Sequence, residues 1–144
     1  MTDFDSWRAR SPFYDDSHEA LAQSVRRFVA REIAPHIDQW EADGELPREL
    51  HRKAAEAGIL GLRYPEQYGG HSDGFDIFHG LTQTEELAAV GAGGLSASLM
   101  THGIGLPPVL ALGSEALKQR VAPPVLKGEK IIALGITEPS GGSD

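Results

Sequence analysis

The sequence predicts an all-α domain that ends in a single β-strand, and three observations lead there. Apolar residues recur at helical spacing from residue 16 to residue 128. Glycines and prolines cut that stretch into short segments. β-Branched residues then gather in one late run, Ile131-Ile132-Ala133-Leu134-Gly135-Ile136. The expected layout is an N-terminal arm over 1–15, a helical bundle domain over 16–128, and a strand with its loop over 129–144.

Trp7, Pro12, Phe13 and Tyr14 follow no period, so the arm reads as extended. Asp16 and Glu19 match a capping box. The helix behind them places Leu21, Val25, Phe28, Val29 and Ile33 on one face and Arg26, Arg27 and Arg31 on a solvated one. Pro35 disfavours an α conformation at Ala34 and predicts a break before a short helix carrying Ile37 and Trp40, which Gly44 ends. Pro47 suits the first turn of the next helix, with Leu50, Ala54 and Ala57 on its inner face and Gly58 as its stop. Ile59 to Leu62 should tuck into the core, and Tyr64 to Gly74 should form a loop, with Asp73 or Asp76 capping the helix beyond.

That helix aligns Ile77, Leu81, Thr84 and Ala88. Glu85 and Glu86 are adjacent and do not face each other, which argues against an acid/base pair. Leu95 to Met100 reads as an almost wholly buried core helix. Pro107 and Pro108 should begin another helix that Gly113 closes. Ser114 caps a further piece, which Pro123 and Pro124 interrupt before the stop at Gly128.

With 13 basic and 21 acidic residues the formal net charge is −8, which opposes bulk attraction to nucleic acid or an anionic membrane. The absence of cysteine excludes disulfides, thiolate catalysis and Cys-ligated zinc. The acidic, polar start lacks the features of a secretory signal and no apolar run is read as a membrane span, so a soluble cytoplasmic protein is expected. The six histidines include no pair at i,i+3 or i,i+4, and no metal site is expected. The glycines at 91 and 93, and at 103 and 105, complete neither a Rossmann nor a Walker pattern.

The late run is read as a buried strand that opens into Thr137-Glu138-Pro139-Ser140-Gly141-Gly142-Ser143-Asp144. Thr137 and Ser143 offer hydroxyls, and the glycines let backbone N–H groups approach a phosphate-bearing ligand. An ordinary strand-to-loop exit uses the same residue types.

The ordered string Ile136-Thr137-Glu138-Pro139-Ser140-Gly141-Gly142-Ser143-Asp144 resembles the flavin-binding signature of the acyl-CoA dehydrogenase family. Gly61-Leu62-Arg63-Tyr64-Pro65-Glu66-Gln67-Tyr68-Gly69-Gly70 is a second family-like block. The resemblance implies the family's N-terminal helical domain followed by the first strand of its middle β domain, with FAD as cofactor and an acyl-CoA as substrate. It places Leu134, Gly135, Ile136 and Thr137 at the flavin ring, and Gly142 and Ser143 at the cofactor's phosphates, with Ser143 also facing the CoA arm. It places Leu95, Ser96, Leu99, Met100 and Gly103 along the acyl pocket.

No catalytic residue is expected here, because the family's glutamate base lies in a C-terminal domain. The implied reaction forms a trans-2-enoyl-CoA and passes electrons to an electron-transfer flavoprotein, in a homotetramer or dimer. Within the fold, an acyl-CoA oxidase or a flavin monooxygenase is an alternative. A noncatalytic helical interaction module is another.

Overall fold

The computed structural model describes residues 4–142, and Ser143 and Asp144 lie outside them. The described helices are α1 (Phe4–Arg8), α2 (Asp16–Phe28), α3 (Ile37–Asp43), α4 (Arg48–Glu56), α5 (Ile77–Ala88), α6 (Gly93–Leu99), α7 (His102–Leu112) and α8 (Glu115–Leu126). The all-α class expected for the domain is the class observed.

The arm carries one helical turn, α1, where an extended chain was expected. The cap of α2 is Asp15 rather than Asp16. Its carboxylate accepts from the Ser17 N–H at 2.9 Å, and the His18 ring, at the position expected of a Glu, accepts from the Asp15 N–H. After Phe28 the helix widens into a π turn over Val29–Ile33, in which the Ala34 N–H reaches back five residues to Val29. Ala34 therefore stays right-handed helical, against the expectation from Pro35, because the wider turn brings the chain to the proline without a break.

Two other helices run through prolines: Pro107 and Pro108 lie inside α7 rather than beginning it as expected, and Pro123 and Pro124 lie inside α8 without interrupting it. The carbonyls deprived of a donor belong to Gly103, Ile104, Gln119 and Arg120, all exposed residues, and a carbonyl open to water loses little when its helix donor is missing. The stop at Gly128 is as expected. Its φ is +69° and an added Cβ would lie 2.3 Å from the His51 carbonyl oxygen, so only glycine fits this crossing.

Two apolar clusters form. Val25, Phe28 and Ile33 pack with Leu50, Ala54, Ile59, Leu60, Leu87, Leu95 and Leu99. Leu106 of α7 packs with Ala122, Val125 and Leu126 of α8 and with Tyr68. By length and composition alone, Gly93–Leu112 is apolar enough to cross a bilayer, at mean hydropathy 1.3, which corrects the sequence reading. A turn at Met100 and Thr101 divides that stretch; Leu95 and Leu99 enter the first cluster and Leu106 the second, while Ile104 and Leu112 stay exposed. Leu95 and Leu99 are buried as expected, but Ala97 is exposed and Ser96, Ser98 and Met100 are half-buried.

Helix α5 lies the other way round from its apolar pattern. It buries His79, Thr82, Gln83, Glu86 and Leu87, while Ile77 and Leu81 are about half exposed. Each buried polar side chain has a partner, which makes the arrangement tolerable. Thr82 Oγ1 donates to the Phe78 carbonyl at 2.9 Å and Gln83 Nε2 to that of Ile59 at 2.7 Å. Glu86 takes Arg8 at 2.9 Å and Arg26 at 2.6 Å, and Arg8 also holds Glu85 at 2.7 Å. The Glu86 and Asp5 carboxylates hold the Arg26 guanidinium protonated well above its ordinary range. Arg26 thus stays on the exposed face expected for it, 47% exposed, while its guanidinium reaches in to the buried Glu86.

Removing one member of a buried charged cluster leaves the others desolvated and unpaired. Glu86→Gln is expected to cost about 3 kcal/mol in urea unfolding, whereas truncation of Leu112, which is 88% exposed, should change stability by less than about 0.5 kcal/mol.

Candidate functional site

Three features outside the apolar clusters could carry chemistry. The first is the segment after α8. The run 131–136 forms no strand among the described residues and is mostly exposed, Leu134 to 49% and Ile136 to 74%, so the expected burial is not observed. A ladder needs a neighbouring strand, and within residues 4–142 the helices offer none. Among the described residues, backbone N–H groups 131–137 make no backbone hydrogen bond, and the first pairing is the Glu138–Gly141 bridge that closes a turn around Pro139 and Ser140. Ile132 alone is anchored. Its side chain lies on Gly105 of α7, where an added Cβ would be 2.8 Å from Cγ1. The Thr137 hydroxyl has no hydrogen-bond partner among the described residues, and Gly142 sits close to its methyl group.

The second feature is a cavity of about 450 Å³. Ile59, Leu62, Arg63 and Tyr64 form one wall, Ile77, Gly80, Leu81, Gln83 and Thr84 of α5 another, and Met100, His102, Gly103 and Pro107 the third. The outward-turned Ile77 and Leu81 stand on its α5 wall. Burial pushes the His102 imidazole below its ordinary pKa, against hydrogen bonds with the Leu60 and Leu99 backbone that raise it. That wall is therefore uncharged near neutral pH. Tyr64 Oη donates to the His102 carbonyl at 3.2 Å.

Of the residues assigned to an acyl pocket, Met100 and Gly103 reach this cavity. Leu95 and Leu99 lie in the first apolar cluster, and Ser96 is half-buried elsewhere on α6. Leu134, Gly135, Ile136, Thr137 and Gly142 fall together on the exposed segment, and Ser143 lies outside the described residues.

The third feature is a histidine cluster that the search for local spacings overlooked. His18, Asp76 and His79 bring ligand atoms within 4.8 Å of one another, and the two imidazoles stack at 3.7 Å. Each Nδ1 lies 2.8 Å from its own cap carboxylate, His18 from Asp15 and His79 from Asp76, and near the same aspartate's N–H. Each Nε2 reaches across to the other helix, His18 to Asp76 at 3.2 Å and His79 to Ser17 Oγ at 3.0 Å. Ser17 completes the circuit by donating to Asp15. The Ser17 and His18 side chains hold the Asp15 carboxyl down to about 2, and His79 depresses Asp76 further still. The group fits a clasp between two helix N-termini. The signal in the sequence is the Asp-x-x-His spacing, present at 15–18 and again at 76–79.

Residues 15–129 match the family described as acyl-CoA dehydrogenase, N-terminal domain. The chain belongs to the acyl-CoA dehydrogenase family. A structure of a probable acyl-CoA dehydrogenase from Mycobacterium abscessus is 47% identical and superposes with a TM-score of 0.82 over 90% of this chain and 34% of its own. An acyl-CoA dehydrogenase from Bacillus anthracis complexed with FAD is 29% identical, with a TM-score of 0.77 over 92% of this chain and 23% of its own. Among curated relatives, a 3-(aryl)acrylate reductase from Clostridium sporogenes is 34% identical over 92% of this chain and 34% of its own. The 144 residues thus span about a third or less of the length of these relatives.

His102 gives this domain a defined pH response. Its folded pKa is depressed, so the unfolded state binds more protons as pH falls below about 6.5, and stability drops in that direction. The urea midpoint should fall between pH 7.5 and pH 5.5, and His102→Gln should flatten that slope.

Proposed function

We propose that the full-length protein oxidises an acyl-CoA to a trans-2-enoyl-CoA with FAD, passing electrons to an electron-transfer flavoprotein. The observation that carries this reading is the exposed, unpaired edge at Leu134–Thr137 on a chain of this family. Its free N–H groups and hydroxyl suit the polar rim of a flat heteroaromatic ring, and its apolar side chains suit the ring's face. Within this chain Thr137 and the 134–137 backbone would hold the ring, and Gly142 would leave room for phosphate oxygens. FAD, when bound, supplies a two-electron acceptor. The anchoring of Ile132 on Gly105 ties this edge to α7, which also carries the Gly103 and Pro107 wall of the cavity. Met100 and Gly103 would line the acyl chain's path, and the neutral His102 keeps the adjoining wall free of charge. No residue of this chain is assigned as the base.

The kinship with a 3-(aryl)acrylate reductase favours a second reading, in which the same site reduces a conjugated double bond.

Purified full-length protein is expected to be yellow and to lose its flavin absorbance under anaerobic acyl-CoA. Thr137→Val should weaken FAD binding about five-fold, the loss of one hydrogen bond. Protein without flavin would sink the proposal. Holoprotein that no saturated acyl-CoA bleaches, yet whose reduced flavin is reoxidised by an arylacrylate, would establish the reductase instead.

A further inference from the structure

The cavity between the 59–64 segment, α5 and α7 has one feature that an apolar acyl chain does not use. Arg63 stands at its edge, exposed, and its guanidinium makes no hydrogen bond or ion pair with any described residue. In a chain of net charge −8, whose Arg8 and Arg26 are each bound by several carboxylates, Arg63 is the one lysine or arginine lining this cavity among the described residues, and it has no counter-ion there.

Two further observations fix its position. Arg63 is the one non-glycine residue at positive φ among the described residues, at +68°, a conformation that disfavours a long side chain. Its neighbours impose that conformation. The Arg63 N–H donates to the His71 carbonyl at 2.7 Å, and the His71 N–H donates to Gly61 at 2.8 Å. Beyond that pair, Glu66 gathers the N–H groups of Ser72 and Asp73 at 2.7 Å each, and its carboxyl is held down to about 2, first by its own backbone N–H and then by these donors. Gly80 of α5 then leaves the groove in which the side chain lies, since a Cβ there would be 3.1 Å from Arg63 Nη1. The arginine is thus placed beside the outward-facing Ile77 and Leu81, with its five donors unused.

We infer that Arg63 binds a carboxylate at the far end of the substrate's acyl chain, so that the cavity selects dicarboxylic acyl-CoA esters over plain fatty acyl esters. Apolar walls from Ile77, Leu81 and Met100 take the methylene chain, and the guanidinium receives the terminal anion bidentately. This deepens the proposed dehydrogenase activity and rests on it.

The test uses the full-length holoenzyme with hexanoyl-CoA and adipoyl-CoA, which have the same chain length and differ in the terminal carboxylate. Wild-type enzyme is expected to prefer adipoyl-CoA in kcat/KM. Arg63→Asn, chosen because asparagine accepts positive φ, should lower kcat/KM for adipoyl-CoA about 10- to 100-fold and leave hexanoyl-CoA within about threefold. Arg63→Lys should recover part of the loss. A wild-type enzyme that prefers hexanoyl-CoA overturns the inference while leaving the dehydrogenase reading intact. Equal losses on both esters also overturn it, by assigning Arg63 to the CoA portion they share. Failure of wild-type enzyme to turn over either ester removes the inference together with the reading beneath it.

Discussion

The pairing of α2 with α5 is the constraint from which the rest of the structure follows. His18 meets His79 and Arg26 meets Glu86, so the two helices run parallel, with their N-termini side by side. Like ends of two helix dipoles repel, and the Asp15 and Asp76 carboxylates offset that positive pole. At the other end Glu86 would face the negative pole of its own helix, were it not held by Arg26 of α2 and Arg8 of α1. The two ends are complementary clasps, one built on capping boxes and one on buried charge.

Committing the polar side of α5 to these clasps turns its Ile77 and Leu81 outward. That inversion makes the cavity wall. The other helices then act as supports: α4, α6 and the 59–62 segment complete the first apolar cluster, and the α7–α8 hairpin forms the second. Gly128 lets the chain pass over His51 at its departure from α8, and Ile132 on Gly105 fixes where it goes. A helical unit of the acyl-CoA dehydrogenase family is thus arranged to present a cavity on α7 and an unpaired edge tied to the same helix.

Helix existence was legible because local terms agree with it: periodic apolar residues, the Asp76 and Ser114 caps, and the stops at Gly44, Gly58 and Gly128. The resemblance of the 136–144 string carried the family, and residues 15–129 match its N-terminal domain. What sequence spacing could not reveal were interactions between residues far apart in the chain. Arg8 lies 78 residues from Glu86, so a buried ion cluster reads locally as a polar helix face. The apolar pattern of α5 pointed to the wrong side because burying Glu86 and Gln83 depends on partners from α1, α2 and Ile59. Prolines misled in α7 and α8 because their cost depends on whether the orphaned carbonyl meets water, which periodicity does not encode. Buried character was read into 131–136 from composition, yet a strand acquires burial from its neighbours.

The proposed function requires that residues 131–137 form the edge that meets FAD. Amide hydrogen exchange on the 144-residue chain, on full-length apoprotein and on the FAD-loaded form tests it directly. The account predicts rapid exchange at 133–137 in the short chain, protection in the full-length protein, and further slowing at 134–137 when FAD binds. Strong protection of these amides in the 144-residue chain, or no response to FAD in the full-length protein, would contradict it.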